Sequence, residues 1–579
     1  MSRCARHEAF PVTISMRLLN LLASRRGRLA AFFFLYVTEG LPLGFGAIAV
    51  ATQLKRQGVG VAEIGAFVGS FYLPWAFKWA FGPFIDVFVS ERLGRRRGWI
   101  LGTQVMMAVT LMSTAFIPLP QQLALFTAVL LLHNTFGAMQ DVAIDALAVG
   151  TLAEDERGLA NGLMFAGASI GQGIGAAGVL FLAGYTGFQA SFVFVAGAIL
   201  AVTLLVVLPM REAPGAPRER AQGSQLAFAA REMRRFAIDS FRAFLDTRGA
   251  FVGLLVALLP AGAMALGLAL QTNLAVELGM DDDQVAWMSG WSSAVSAAFM
   301  VIGGRLSDRF GRRLMLALYI VSMTPPTLYL AWKLQAAGWI MPLAANAARP
   351  EAAAALVTVL WIAVMLYSAG NGLMYGARAA IFMDVTNPLV AATQFTAYMA
   401  LLNLVIAYSA TWQGIAAESI GYPAMLVIDA LFGPVGIPLL PWMRNKLGNA
   451  PDGAAPRRAR WAAIVLGVAC IAWLPYRWAP SVAGDAAPIV ETAFTMLFVA
   501  SALFLLAASQ VLAGRRLAGA APWLALLLFA MYARRWAGDA GPLVESLIRG
   551  VPVIAGLTLL AFGFDRWRAL ERAPSPTPA

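Results

Sequence analysis

The sequence predicts an all-α protein that crosses a membrane many times, and three observations carry that prediction. Hydrophobic residues make up 60% of the 579-residue chain and charged residues 13%, about half the charged fraction of an ordinary soluble domain. Mean hydropathy is +0.71. The apolar residues also come in long runs: AAFFFLYVTEGLPLGFGAIAVA (30–51) and IGAFVGSFYLPWAFKWAFGPFI (64–85) each reach the ~20 residues a helix needs to cross a bilayer.

Apolar segments follow in order at about 30–52, 64–85, 99–119, 122–150, 158–183, 188–209, 250–278, 284–306, 313–335, 353–382, 392–420 and 423–443. Four more lie at about 461–477, 489–512, 518–536 and 541–564. The first run is too long for the apolar part of a signal peptide and reads as a retained span. Residues before Met16 read as a disordered tail, or as upstream sequence if translation starts at Met16. The chain thus divides into an N-terminal tail (1–28), a six-span half (29–209), a linker (210–249), a second six-span half (250–445), a short linker (446–460), two tandem membrane hairpins (461–565) and a C-terminal tail (566–579).

A net charge of +12 does not point to nucleic acid, because the basic residues sit in short connections between apolar runs. Arg25, Arg26 and Arg28 precede the first span, Arg92 and Arg95 to Arg97 separate spans two and three, Arg305, Arg309, Arg312 and Arg313 separate eight and nine, and Arg457, Arg458 and Arg460 follow twelve. Lys and Arg concentrate on the cytoplasmic side of membrane proteins, which places both termini in the cytoplasm. Cys4 and Cys470 lie far apart and form neither a disulfide framework nor a metal motif; no cofactor is expected. In the linker, Met233, Phe236, Phe241, Phe244 and Leu245 recur at helical spacing opposite Arg231, Arg234, Arg235 and Arg242. That is an amphipathic helix suited to lying along an anionic inner leaflet.

Two halves with corresponding loops are what an alternating-access carrier built from repeats shows. The connection after span eight reads GRLSDRFGRR (304–313), and at the equivalent place after span two stands GPFIDVFVSERLGRRR (82–97). Gly82 and Asp86 correspond to Gly304 and Asp308, and Gly94-Arg95-Arg96 to Gly311-Arg312-Arg313. The loop after span eight resembles the signature G-x-x-x-D-R-x-G-R-R of the major facilitator superfamily, at Gly304, Asp308, Arg309, Gly311, Arg312 and Arg313. More narrowly, EGLPLGF (39–45), FKWAFGPFIDVF (77–88), LGRRRGWILGTQ (93–104), QDVAIDAL (140–147), EDERGLANG (154–162) and AATQFTAY (391–398) resemble the branch that holds the AmpG-type muropeptide permeases and the acetyl-CoA transporters. The arginine that typically follows the acid after span two is missing here, since Val87 follows Asp86. The resemblance covers roughly residues 30–445. It implies a major facilitator fold of two six-helix halves, to which the C-terminal membrane helices are an addition, and a permease rather than an enzyme.

Candidate site residues follow from cost. An ionised group at membrane depth costs ~2.5–3.5 kcal/mol on insertion scales and persists where it pairs or lines a wet cavity. Glu39, Lys78, Asp141 and Asp145 fall in one layer on three helices of the first half. Lys78 is expected to pair with Asp141 or Glu39 while a remaining acid carries a coupling proton; Gln140 belongs to the same cavity wall. For Asp145 the alternative is a tie between helices. His133 reads as an interhelical hydrogen-bonding residue or as a proton relay. In the second half, Arg378 is suited to a carboxylate or phosphate, or else it snorkels or pairs with Asp384. Gln271, Asn273, Asn371 and Asn403 are the polar residues around it. Asp86, Arg95, Arg96, Gly304, Asp308, Arg309, Gly311, Arg312 and Arg313 are read as a conformational latch, with no contact to cargo.

Beyond residue 445 the resemblance ends. Here YRWAPSVAGDAAPIVE (476–491) and YARRWAGDAGPLVE (532–545) repeat a GDAxPxVE core, each between two apolar segments. Two hairpins with equivalent outer turns follow from this. Pro488 and Pro542 suit first helical turns capped by Asp485 and Asp539, and Glu491 and Glu545 are the acids available for an accessory site.

A membrane enzyme would need clustered catalytic groups outside the lipid, but the only histidines are His7 and His133 and there is no P-loop. The expected function is therefore secondary, proton-coupled import of a small organic solute across a bacterial inner membrane by a monomer. The resemblance makes anhydro-muropeptide the first candidate cargo, and a pyochelin-like siderophore the second. A polytopic membrane enzyme and a non-transporting scaffold are the readings from other classes.

Overall fold

The structure, a computed structural model, describes most residues from 20 to 570; outside the description lie 1–19, most of 58–72, 213–237, 344–352, 445–452, most of 480–486, 513–515, 534–541, 571–579 and a few single positions. The described residues are helical almost throughout and contain no strand. In a bilayer core no water is available to the backbone, so each spanning segment closes its hydrogen bonds on itself.

In chain order the helices are α1 (Arg25–Leu54), α2 (the pieces Leu73–Ala76, Lys78–Phe81 and Gly82–Val87), α3 (Arg97–Thr114), α4 (Leu123–Thr151), α5 (Glu154–Thr186) and α6 (Gln189–Val207). The second set is α7 (the pieces Arg248–Ala257 and Ala269–Glu277), α8 (Asp282–Phe310), α9 (Arg312–Ala336), α10 (Ala353–Val385), α11 (Ala391–Ile420) and α12 (Tyr422–Trp442). Four further helices are α13 (Ala455–Trp478), α14 (Ala487–Val511), α15 (Arg516–Ala533) and α16 (Pro542–Gly563). Eight of the described helices are long and apolar enough to cross a membrane by the stricter measure of length and hydropathy. The protein is a multi-pass membrane protein.

The two sets pack against each other through α5 with α8 and α10, and through α4 and α2 with α11. One buried core runs through both sets; a separate core fills the C-terminal bundle, in which α13 lies along α16 and α14 along α15.

One apolar segment departs from the simple picture. The run 250–278 predicts a continuous span, yet α7 is broken between Ala257 and Ala269, with a short 3-10 turn at Ala265–Gly267. Pro260 removes a backbone donor inside the break, and Gly262 sits at φ +106°, a conformation that favours glycine. The freed backbone groups are met by protein. The Met264 and Ala265 N–H groups donate to one carboxylate oxygen of Asp429 at 2.8 and 2.9 Å, and Gln413 donates to the other at 2.8 Å.

The linker differs as well. Residues 238–246 are helical, and protein packs against their apolar face. Leu245 belongs to the core of the C-terminal bundle, with Phe241 and Ile238 packed against it. Hydrophobic surface is satisfied equally by lipid or by a neighbouring apolar bundle, and here the bundle is adjacent. Met233, Phe236, Arg231, Arg234 and Arg235 lie outside the described residues. So do Asp485, Asp539 and most of both repeat turns. Pro488 and Pro542 stand within the first two positions of α14 and α16, and Glu491 is exposed on α14.

Candidate functional site

A cavity of about 220 Å³ lies where the two six-helix sets meet. Tyr36 and Glu39 of α1, Trp75 and Lys78 of α2, Asp141 and Asp145 of α4, and Asn161 and Phe165 of α5 form one wall. The opposite wall comes from the α7 break (Ala261, Ala263, Met264), α10 (Tyr367, Asn371, Met374, Tyr375, Arg378) and α11 (Phe395, Met399, Asn403). Irregular backbone at membrane depth is tolerated where it lines such a space.

The charged groups of the first wall are ordered by short contacts. Lys78 Nζ lies 2.7 Å from Asp141 Oδ2, both side chains being nearly inaccessible. The Tyr36 hydroxyl donates to Asp145 Oδ1 at 2.6 Å. One oxygen of Glu39, Oε2, is buried and meets no hydrogen-bond partner among the described residues. Three acids therefore face one ammonium on this wall, with the Arg378 guanidinium on the other. Arg378 donates to the Leu259 carbonyl oxygen at 3.2 Å, so the same break that opens α7 helps to hold it.

Several expected residues stand elsewhere. Gln140 is buried behind the wall, its amide donating to Thr38 Oγ1 at 3.0 Å, with Gln104 donating to the same oxygen at 3.2 Å. His133 is fully buried between α3 and α4. Its Nδ1 lies 2.9 Å from the Met107 carbonyl oxygen, and its Nε2 meets no hydrogen-bond partner among the described residues. Gln271 is half-buried and Asn273 exposed, and neither is among the described lining residues; the break turns the second piece of α7 away from the cavity. Asp384 is paired with Arg157 at 2.9 Å and Arg312 at 2.5 Å. The partners missing from the sequence reading are Tyr36, Trp75, Asn161, Tyr367, Tyr375 and Asp429.

At the arginine-rich end, the two corresponding loops make corresponding crossings. Asp86, paired with Arg96, accepts from the Thr393 N–H at 3.0 Å and the Thr393 hydroxyl at 3.2 Å, at the start of α11. Asp308, paired with Arg312 at 3.1 Å, accepts from the Gly158 and Leu159 N–H groups at 2.9 and 2.8 Å, at the start of α5. Each acid thus sits at the N-terminus of a helix of the opposite set, where carboxylates are favoured. The glycines permit the approach: a Cβ on Gly82 would meet the Thr393 backbone at 2.8 Å, and one on Gly304 would collide with the Gly158 carbonyl. Gly94 and Gly311 both turn at positive φ, +97° and +96°.

The contacts correct the register read from sequence by one residue. Arg96 and Arg312 reach the acids. The next arginines, Arg97 and Arg313, donate to carbonyl oxygens closing the last helix of their own set: Val207 at 2.9 Å and Leu208 at 2.7 Å, and Met443 at 3.0 and 2.9 Å. Arg96-Arg97 is therefore the counterpart of Arg312-Arg313, and Gly94 is followed by one extra residue, Arg95. Arg309 is exposed, with its guanidinium 5.3 Å from the Phe310 ring centroid; the described contacts do not bring it to the crossing.

Residues 29–264 match the sequence profile of the Major Facilitator Superfamily. The anhydromuropeptide permease of Escherichia coli (strain K12) is 27% identical over 184 residues, 31% of this chain and 37% of that protein. An uncharacterised protein of Haemophilus influenzae (strain ATCC 51907 / DSM 11121 / KW20 / Rd) is 25% identical over 392 residues, 66% of this chain and 87% of that protein. Among solved structures, the proton:xylose symporter XylE bound to 6-bromo-6-deoxy-D-glucose aligns with a TM-score of 0.51 at 13% identity, over 74% of this chain and 98% of that one; at that identity the likeness is one of fold. The chain thus has the major facilitator fold and resembles AmpG-type permeases, while spanning well under half the length of the named permease. The named relatives are a permease and a symporter, the class expected from the sequence, and not enzymes.

Proposed function

We propose that this protein is a secondary-active, proton-coupled carrier that imports an anionic organic solute across a bacterial inner membrane, with both termini in the cytoplasm. The observation that carries the reading is the division of charge across one cavity between the two sets of helices. Glu39, Asp141 and Asp145 oppose Lys78 and Arg378, leaving one acid in excess. Unbalanced charge in a low-dielectric site is expensive. One bound proton restores neutrality, and a carboxylate-bearing cargo neutralising Arg378 requires another. The crossings at Asp86 and Asp308 then act as latches that hold the cytoplasmic side shut.

Anhydro-muropeptide is the cargo best supported, since it carries carboxylates and names the Escherichia coli relative. A cavity of about 220 Å³ is smaller than the ~300–1,000 Å³ usual for drug-sized ligands, so a sugar–peptide enters only as the walls part. The test is uptake of labelled anhydro-muropeptide by proteoliposomes under an imposed pH gradient, outside acidic. Accumulation that collapses with a protonophore is expected; accumulation indifferent to the gradient overturns proton coupling, and no uptake overturns the cargo.

A further inference from the structure

The C-terminal bundle lies outside the two-set carrier, yet its contacts lead to the latch. We propose that α13–α16 form a brace that positions the arginine-rich end of α11, and through it Thr393, for the Asp86 latch; this rests on the reading of that crossing as a gate.

The chain of contacts has three links. First, the bundle grips the linker helix 238–246. Phe241 stands 5.3 Å from the ring of Phe504 on α14, edge-on, and 6.0 Å from the ring of Trp567, stacked. Trp567 is fully buried and its indole N–H donates to the Phe562 carbonyl oxygen at 3.1 Å, at the end of α16. Arg458, at the start of α13, donates to the Leu245 carbonyl oxygen at 2.5 Å. Second, the linker helix and the first piece of α7 grip α11. The Gln394 amide donates to the Ala243 carbonyl oxygen at 3.1 Å, and the Tyr398 hydroxyl donates to the Ala250 carbonyl oxygen at 2.9 Å. Phe244 packs edge-on to Tyr398 at 5.4 Å. α14 also touches α11 directly. Third, Gln394 directly follows Thr393, the residue that Asp86 holds from the opposite set.

Packed side chains transmit displacement because protein interiors are close-packed and have discrete arrangements, not a continuum. Aromatic pairs of this geometry contribute beyond the area they bury, enough to bias a two-state gate several-fold. The linker helix is a single rigid lever with one side on the bundle and the other on α11. It fixes where the first turn of α11 stands when Asp86 closes on it. The added hairpins thereby acquire a role in the transport cycle without touching cargo: Phe241, Trp567 and Tyr398 are positioning residues.

The experiment measures the gate, independently of cargo. Spin labels are placed on the full chain at Leu93→Cys and Leu389→Cys, both exposed on either side of the Asp86–Thr393 crossing, in a Cys4→Ser, Cys470→Ala background, and distances are read by electron–electron double resonance. Asp86→Asn serves as the control for the gate. Phe241→Ala is expected to raise the long-distance population at least several-fold, and Phe241→Leu to restore most of the short one. Phe498→Ala, which removes a bundle aromatic whose described ring contacts are with Trp473 and Phe494, is expected to lower thermal stability without moving the distances. Where Phe241→Ala is not monodisperse, Arg458→Gln replaces it. If Asp86→Asn opens the gate and Phe241→Ala or Arg458→Gln leaves it as in the parent, the brace is refuted; an equal shift in Phe498→Ala also refutes it. An Asp86→Asn variant with the parent's distances overturns the latch and the brace with it. A parent that moves no tested solute still reports these distances, so a wrong cargo is told apart from a wrong brace.

Discussion

The two six-helix sets are alike at their arginine-rich ends and unlike at the cavity. At the ends, Asp86 and Asp308 perform the same act on the starts of α11 and α5, with an arginine partner, a close-approach glycine and a positive-φ glycine each. In the cavity, the first set supplies three acids and a lysine, while the second supplies an arginine, amides and an unwound backbone. Symmetry is kept at the ends, where the two sets meet through matching crossings. It is lost at the cavity, where the proposed function assigns protons to one wall and cargo to the other.

The largest effect is expected from Lys78→Met. Removing one partner of a buried pair costs about 3–5 kcal/mol, read as a large loss of thermal stability in detergent. Lys78→Met with Asp141→Asn should recover most of it. A Lys78→Met protein as stable as its parent would mean that the charge layer of the first wall is not the constraint described.

Next, Asp308→Ala leaves the Gly158 and Leu159 N–H groups and Arg312 without that acceptor. A buried unsatisfied group costs about 1–3 kcal/mol, here charged to the closed state. Turnover should fall about tenfold or more while the cargo dissociation constant changes little, and Asp86→Ala should act in the same direction. A pure affinity loss would make the ends part of the cargo site and dissolve the contrast.

Asp429→Ala acts on the support of the second wall. It strips the acceptor from the Met264 and Ala265 N–H groups, again at about 1–3 kcal/mol. Because Met264 lines the cavity, weaker cargo binding should accompany lower stability. A smaller change is expected of Arg378→Lys, which keeps the charge but loses the planar fork. It should raise KM for an anionic cargo about tenfold, ~1.4 kcal/mol, with kcat nearly unchanged; an unaltered KM would move cargo recognition off α10.

Much of this was legible in the chain because charge is conspicuous in an apolar run. Glu39, Lys78, Asp141 and Arg378 stand out as isolated ionisable groups, and all line the cavity. The same rule applied to AMLVIDALF (424–432) points to Asp429, and Pro260 with Gly262 signals the break that this acid caps. Tyr36, Trp75, Tyr367 and Tyr375 carried no such mark, since aromatic residues are common on every span and only packing tells which face the cavity. The loop register slipped by one because two arginine runs of different length align equally well until their partners are seen. Amphipathy showed that one face of the linker helix needed covering; it could not show that the cover is Phe504 and Trp567 instead of lipid.

Exchange against accumulation in one preparation of Glu39→Gln proteoliposomes is the most direct test of the division between the walls. With labelled anhydro-muropeptide, the account predicts that this variant still exchanges cargo across the membrane without a gradient, since the second wall and the Lys78–Asp141 pair are intact, and no longer accumulates it when a pH gradient is imposed. Accumulation at the parent's level by Glu39→Gln would contradict it.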